Sequence, residues 1–167
     1  SFYYEGNFSS NMPEFNCDSL AVREEFKEIM KFYLDLGVDG FRLDAVKYYY
    51  FNNNAKNIEF LRWLNTTVKE IKSDAYIVGE CFDGYELINE YYNSGIDSHF
   101  NFATSVAYAS QSGAINGTNP EGRGITSYYN SLISNYNIGN GQGIPAPFID
   151  NHDMPRYTYQ TNLEKNK

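Results

Sequence analysis

Three short apolar segments of this chain each run into a carboxylate, with helical patterns between them. They read Gly40-Phe41-Arg42-Leu43-Asp44, Val78-Gly79-Glu80 and Phe148-Ile149-Asp150-Asn151-His152-Asp153. Each reads as a β-strand ending in an acid. Strands that alternate with helices imply βαβ units and a parallel sheet. Right-handed crossovers then leave an open doubly wound sheet or a closed barrel, and periodicity does not choose between them. The acids sit at the ends of several strands instead of clustering at one switch point. That favours the barrel, whose active sites lie at the C-terminal face of the strands.

The segments between the strands fit this alternation. Residues before Asp18 read as irregular, with Gly6, Asn7, Ser9, Ser10 and Pro13 as punctuators. Asp18 or Ser19 can cap a helix in which Leu20, Phe26, Ile29, Met30, Tyr33 and Leu34 mark one face, and Gly37 ends it. A strand from Val38 to Asp44 follows, then a helix from Ile58 to Lys72 with Phe60, Leu61, Leu64, Val68 and Ile71 on its buried side. The next strand spans Tyr76 to Glu80, a short helix Tyr85 to Tyr92, and a further strand Ser98 to Phe102. A loop is expected over Gly113 to Gly124 and a helix over Ile125 to Tyr136. Gly139, Gly141 and Gly143 lie close together, but no Lys-Ser or Lys-Thr follows them, and Pro145 and Pro147 disfavour a helix opening, so they form no phosphate loop. The last strand is expected over Pro147 to Asn151, and the tail can begin another helix.

Charge and cysteine content exclude some partners. The chain has 167 residues, 42% of them hydrophobic, enough for a core. Its formal net charge of -8 argues against a nucleic-acid backbone as partner, which needs lysine and arginine to displace counterions. No apolar run is long enough to span a bilayer. Ser1 to Glu5 lacks the basic start and apolar stretch of a signal peptide. Cys17 and Cys81 are too few for a disulfide framework, have no second cysteine at metal-ligand spacing, and read as free thiols. Of the 16 Tyr and 12 Phe, most are expected to pack the core, while some can stack on sugar faces.

The acids suit glycoside chemistry. Side chains alternate along a strand, so Gly40, Arg42 and Asp44 share one face, and Phe41 and Leu43 share the other. In a barrel, Arg42 and Asp44 face the axis, where two charges must pair. Arg42 would favour the ionised form of Asp44, which is what a nucleophile needs. Taken alone, the pair serves equally as a structural ion pair. Glu80 stands at the mouth of an apolar strand, where desolvation raises a carboxyl pKa and suits it to act as a general acid. Taken alone, it could be an exposed glutamate at a strand end. His152 and Asp153 can donate to and accept from hydroxyl groups. The other histidine, His99, is far from His152 in the chain, so no metal site is expected, and no Ser sits in a nucleophile-elbow setting.

The segments Gly40-Phe41-Arg42-Leu43-Asp44-Ala45-Val46-Lys47, Gly79-Glu80 and Phe148-Ile149-Asp150-Asn151-His152-Asp153, in this order, resemble three signature regions of the α-amylase family of glycoside hydrolases. Met12-Pro13-Glu14-Phe15-Asn16 resembles that family's extra motif near the end of an inserted domain. The resemblance implies an α/β fold, a partial TIM (β/α)8 barrel holding about strands four to seven. Residues 1–18 would be the end of the inserted, loop-rich domain, and residues 19–167 the partial barrel. It also implies roles: Asp44 as nucleophile, Glu80 as general acid/base, and Asp153 as the third carboxylate, which stabilises the transition state. Arg42 would hold the nucleophile, His152 would bind sugar hydroxyls, and Lys47 would lie near the leaving-group side. The implied reaction is retaining hydrolysis of α-glucosidic bonds in starch-derived glucans or maltooligosaccharides, with α-1,4 bonds favoured.

Two departures qualify the resemblance. Tyr48 stands where the family often has a histidine whose backbone serves a calcium site. The chemistry needs no cofactor, but a structural calcium is left open for the full-length protein. The extra motif is closest to the neopullulanase-like or intermediate group, which leaves an oligo-1,6-glucosidase as an alternative; an α-glucan transglycosylase, which uses the same residues and differs in how well it excludes water, is the other. A non-catalytic sugar-binding or partner-anchoring relative is the alternative of another class. A whole barrel needs about 250 residues, so the chain is expected to be a fragment, inactive alone. An extracellular setting is expected over a cytoplasmic one.

Overall fold

A computed structural model of the chain describes residues 4–102, 130, 134, 143–154 and 156. Its contacts form two units: Ser1–Glu80 with Asn93–Ile96, and Cys81–Tyr92 with Asp97–Lys167. In the first unit, helix α1 spans Leu20–Asp35. Ser19 holds the N-cap position without a side-chain cap bond. Asp18 is occupied elsewhere, accepting from Tyr50 Oη at 2.7 Å and Lys56 Nζ at 2.9 Å. At the other end, Gly37 has φ +97°, its N–H donates to Leu34 O, and Val38 N–H donates to Tyr33 O. This is a Schellman closure, and the left-handed position suits glycine.

The apolar stripe expected on α1 divides. Met30 and Leu34 are buried and Phe26 is half-buried, but Leu20, Ile29 and Tyr33 are exposed. Phe26, Met30 and Leu34 are spaced four residues apart and form one narrow row. Ile29 and Tyr33 flank that row, and Leu20 lies round the helix from it.

Strand β1 is Gly40–Leu43 and strand β2 is Tyr76–Gly79. They pair in parallel with Gly40 opposite Tyr76 and Leu43 opposite Gly79. A Cβ at residue 40 would stand 1.7 Å from Tyr76 O, so only glycine admits this pairing. Both strands are shorter than expected, because Asp44 and Glu80 leave the ladder for the turns beyond it. Helix α2, Asn54–Ile71, joins β1 to β2 and starts four residues before the expected position. Asn53 explains the early start, since its side chain accepts from Lys56 N and caps the helix. Phe60, Leu61, Leu64 and Val68 are buried, each contributing about 1.5–3 kcal/mol relative to exposure. Phe60 stacks on Trp63 at 5.3 Å and meets Tyr49 edge-on at the same distance, with Phe26 at 6.3 Å. These rings tie α1 and α2 to the segment after β1.

The second unit has helix α3 (Tyr85–Tyr91) and the parallel strands β3 (Ser98–Asn101) and β4 (Ile144–Pro147). The last strand therefore ends at Pro147, where the expectation from sequence had it begin. Its prolines do not block the ladder to β3. Ile144 N–H donates to Asp97 O at 2.8 Å, and only alternate residues donate to one neighbour, so the missing donors of Pro145 and Pro147 fall on the other side. His99 is buried, with the Tyr92 ring edge-on at 4.8 Å. Tyr92 Oη donates to Ile144 O and accepts from His99 N–H, linking α3 to both strands.

The loop expected over 113–124, Gly139, Gly141 and the tail helix lie outside the described residues. So does the helix expected over 125–136, apart from Asn130 and Ser134, which are helical. Among the described residues no helix is long and apolar enough to cross a membrane.

Candidate active site

The pairing of β1 with β2 places two acids side by side. Beyond the last pair, Leu43 and Gly79, come Asp44 and Glu80. The chains stay joined there: Glu80 N–H donates to Leu43 O at 2.9 Å, and Val46 N–H donates to Glu80 O at 3.0 Å. Between these bonds Ala45 takes a left-handed conformation, φ 44° and ψ 46°. That costs a non-glycine residue about 1–2 kcal/mol. The turn it makes aims Ala45 N–H at Glu80 Oε2, 3.5 Å away.

Arg42 joins the acids. Its Nη1 donates to Asp44 Oδ1 and its Nη2 to Glu80 Oε2, so one planar guanidinium spans both carboxylates. The two acids differ in setting. The side chain of Asp44 is 75% exposed, that of Glu80 only 8%. Burial, above all, pushes the Glu80 carboxyl above its ordinary range, and hydrogen bonding with Asp44 adds to the rise. Arg42 and the Ala45 N–H pull the other way. An exposed, arginine-held carboxylate beside a buried one whose pKa is raised is a pairing suited to a nucleophile and an acid.

The segment after β1 is held from below by a residue that sequence reasoning missed. Asn57, fully buried on α2, donates from Nδ2 to Lys47 O at 2.8 Å and to Tyr50 O at 3.2 Å. Its Oδ1 accepts from Tyr50 N–H at 2.7 Å. The signal was available: Asn57 lies four residues before Leu61 on the apolar face of α2, where a polar side chain needs a partner. Lys47 lies in the turn that Asn57 pins, its Nζ 5.3 Å from the centre of the Tyr48 ring. Cys17 is no rival nucleophile, because burial pushes its thiol up to about 11.

His152 and Asp153 belong to the second unit, in the turn after β4. His152 Nε2 lies 3.1 Å from Asp153 Oδ2, and both side chains are solvent-accessible. Asn151 Oδ1 accepts from Asp153 N–H at 2.9 Å, and Asp150 pairs with Arg156 at 2.9 Å. The structure thus gathers Arg42, Asp44 and Glu80 in one cluster and His152 with Asp153 in another.

The resemblance relates the backbone carbonyl of residue 48 to a calcium site. Tyr48 O, the carbonyl at that position, accepts from Asn7 Nδ2 at 3.2 Å. Among the described residues no group of three His, Cys, Asp or Glu side chains could hold a metal ion.

Comparison with known proteins follows the same lines. Residues 1–167 match the family described as "Alpha amylase, catalytic domain". The chain is 38% identical over 154 residues to Alpha-amylase 3 of Dictyoglomus thermophilum, covering 92% of this chain and 30% of that protein. Among solved structures it is similar to Eubacterium rectale Amy13B, with a TM-score of 0.85 and 42% identity over 92% of this chain and 30% of that one. It is also similar to an alpha-amylase from H. orenii, with a TM-score of 0.79 and 31% identity over 98% of this chain and 33% of that one. The chain therefore spans about a third of the relatives it matches. The likeness gives the architecture: the parallel strand pairs and their helices are part of a TIM (β/α)8 barrel.

Proposed function

Because this chain belongs to the α-amylase catalytic-domain family, we propose that the protein containing it cleaves α-glucosidic bonds in starch-derived glucans or maltooligosaccharides, with retention of configuration. The observation that carries this reading is the guanidinium of Arg42 shared by Asp44 and Glu80. Retaining enzymes hold their two carboxyl groups about 5–5.5 Å apart, whereas inverting ones leave about 6.5–9.5 Å for a water. Two acids bridged by one guanidinium fit the close arrangement.

In the first step Asp44 attacks the anomeric carbon while Glu80 gives its proton to the departing glycosidic oxygen. A glycosyl ester on Asp44 results, and Glu80 is left ionised. In the second step Glu80 takes a proton from water, the water oxygen bonds to the anomeric carbon, and the ester bond to Asp44 breaks. Arg42 holds Asp44 in place. Asp153 and His152 take hydroxyls of the sugar being cleaved, and Lys47 serves the leaving-group side. Digestion of panose by the full-length protein tests the bond preference. Glucose plus isomaltose is expected, from α-1,4 cleavage. Glucose plus maltose would move the assignment to α-1,6 bonds, and no cleavage of panose or of maltooligosaccharides would remove it.

A further inference from the structure

The turn after β1 carries Lys47 and cannot hold its own shape. Its 3-10 segment, Val46–Tyr48, is closed by a single bond, Tyr48 N–H to Ala45 O at 2.9 Å. One turn fixes several dihedrals for one bond, so it needs support from outside. It also starts from the left-handed Ala45, which favours opening.

The outside supports differ in strength. From the 4–18 loop, Asn7 Nδ2 donates to Tyr48 O at 3.2 Å, and Phe8 meets the Tyr48 ring edge-on at 4.9 Å. Asn7 is half-buried and Phe8 is 55% exposed, so water competes there. From α2, Asn57 donates through Nδ2 to Lys47 O at 2.8 Å and Tyr50 O at 3.2 Å, and accepts from Tyr50 N–H at 2.7 Å. Asn57 is 0% exposed, and its bonds lie where the local dielectric is low and water does not compete. It also grips the backbone of Lys47 itself. An amide suits the task, because it carries donors and an acceptor on one plane. An ionised aspartate would lack the donors, and glutamine would place them one methylene further out.

A lysine ammonium sits on a flexible four-carbon stem, so its reach is set where the stem is rooted. Asn57 fixes that root, and the Tyr48 ring lies 5.3 Å from Nζ at the other end. We propose that Asn57 is a positioning residue for the leaving-group side: by fixing the backbone of Lys47, it sets where the ammonium meets a sugar leaving group. This rests on the role given to Lys47 above and deepens it. Asn57 is buried and acts through Lys47. The acids, held by strand pairing and Arg42, do not lean on it. Loss of Asn57 therefore weakens the hold on leaving groups that bear hydroxyls and is indifferent to those that bear none.

The test compares maltotriose with 4-nitrophenyl α-maltoside on the full-length protein, well below its thermal midpoint. The nitrophenyl leaving group has no hydroxyl to accept from an ammonium. The ratio of the two kcat/KM values does not depend on how much of the enzyme is folded. Asn57→Ala should lower that ratio about five- to tenfold, through a raised KM for maltotriose at unchanged kcat. Asn57→Leu keeps the volume without the bonds and should give the same ratio, which serves where Asn57→Ala does not accumulate. Lys47→Ala should lower the ratio at least as far, and adding Asn57→Ala to it should move the ratio by less than about twofold. A purely structural role lowers both kcat values together and leaves KM and the ratio unmoved, which overturns the proposal. Effects of Asn57→Ala and Lys47→Ala that multiply also overturn it, as does Lys47→Ala that leaves the ratio unmoved. An unaltered full-length protein that cleaves neither substrate breaks the functional reading itself. Normal cleavage of both, with a ratio blind to Asn57→Ala, breaks the positioning role alone.

Discussion

The acids after β1 and β2 and the acid-bearing turn after β4 are held in opposite ways. Glu80 is buried, and Asp44 reaches it through strand pairing, the left-handed turn at Ala45 and Arg42. The strand pairing and the Arg42–Glu80 bond link residues distant in the chain, whereas the turn and the Arg42–Asp44 bond are local. Asp153 is held by Asn151, two residues away, and its neighbour Asp150 by Arg156, six away. Groups that make and break bonds need fixed separation and a tuned proton affinity, which only non-local structure supplies. Groups that take hydroxyls, the role proposed for His152 and Asp153, can sit on a local turn.

The hardest way to strike the first region is Asp44→Asn in the full-length protein. It keeps the shape, removes the nucleophile, and is expected to abolish maltotriose hydrolysis. Residual turnover near that of the unaltered protein would remove Asp44 from its role. Glu80→Gln should lower kcat by about 10²- to 10⁴-fold. It should also change the pH profile, and the sign follows from burial. A raised pKa means Glu80 holds its proton to higher pH than a free carboxyl, and activity is lost on the alkaline side as that proton leaves. The alkaline limb of kcat/KM against pH therefore reports Glu80, and Glu80→Gln should erase it. An unshifted limb would assign it to another group.

Asn57→Ala strikes the support and leaves the acids untouched. It leaves the peptide groups of Lys47 and Tyr50 buried beside an empty site. The expected cost is about 3 kcal/mol, read by urea unfolding. A loss under about 1 kcal/mol would mean water replaces the amide.

This residue also marks how far the sequence could be read. The alternation of strands and helices, parallel pairing and the acids at the strand ends were legible, because alternation and the apolar runs before each acid are local patterns. The turn at Ala45 was not, since nothing in Ala-Val-Lys announces a positive φ that only the bonds from Glu80 make tolerable. The role of Asn57 depended on partners seven and ten residues away. The strand expected over Pro147 to Asn151 lies at Ile144–Pro147; in the sequence the two prolines tell only against a helix, and their fit in the ladder depends on which side β3 lies. The exposure of Leu20 shows the same limit, as an apolar residue at near-helical spacing need not share the buried row.

The mildest test addresses the turn after β4. Asn151→Ala removes the acceptor of Asp153 N–H, a neutral hydrogen bond at an accessible site, worth about 0.5–1.5 kcal/mol. Because the turn is local and carries no core residue, the thermal midpoint of the full-length protein should move by less than about 2 °C. Asp153 would still be present but less fixed, so kcat/KM for maltotriose should fall by about 2- to 10-fold. Asn57→Ala should show the reverse, a large loss of stability with the acids intact. If Asn151→Ala instead unfolds the protein as readily as Asn57→Ala, the turn is part of the scaffold, and the division between a braced pair proposed to cleave the bond and a locally held turn proposed to bind sugar is lost.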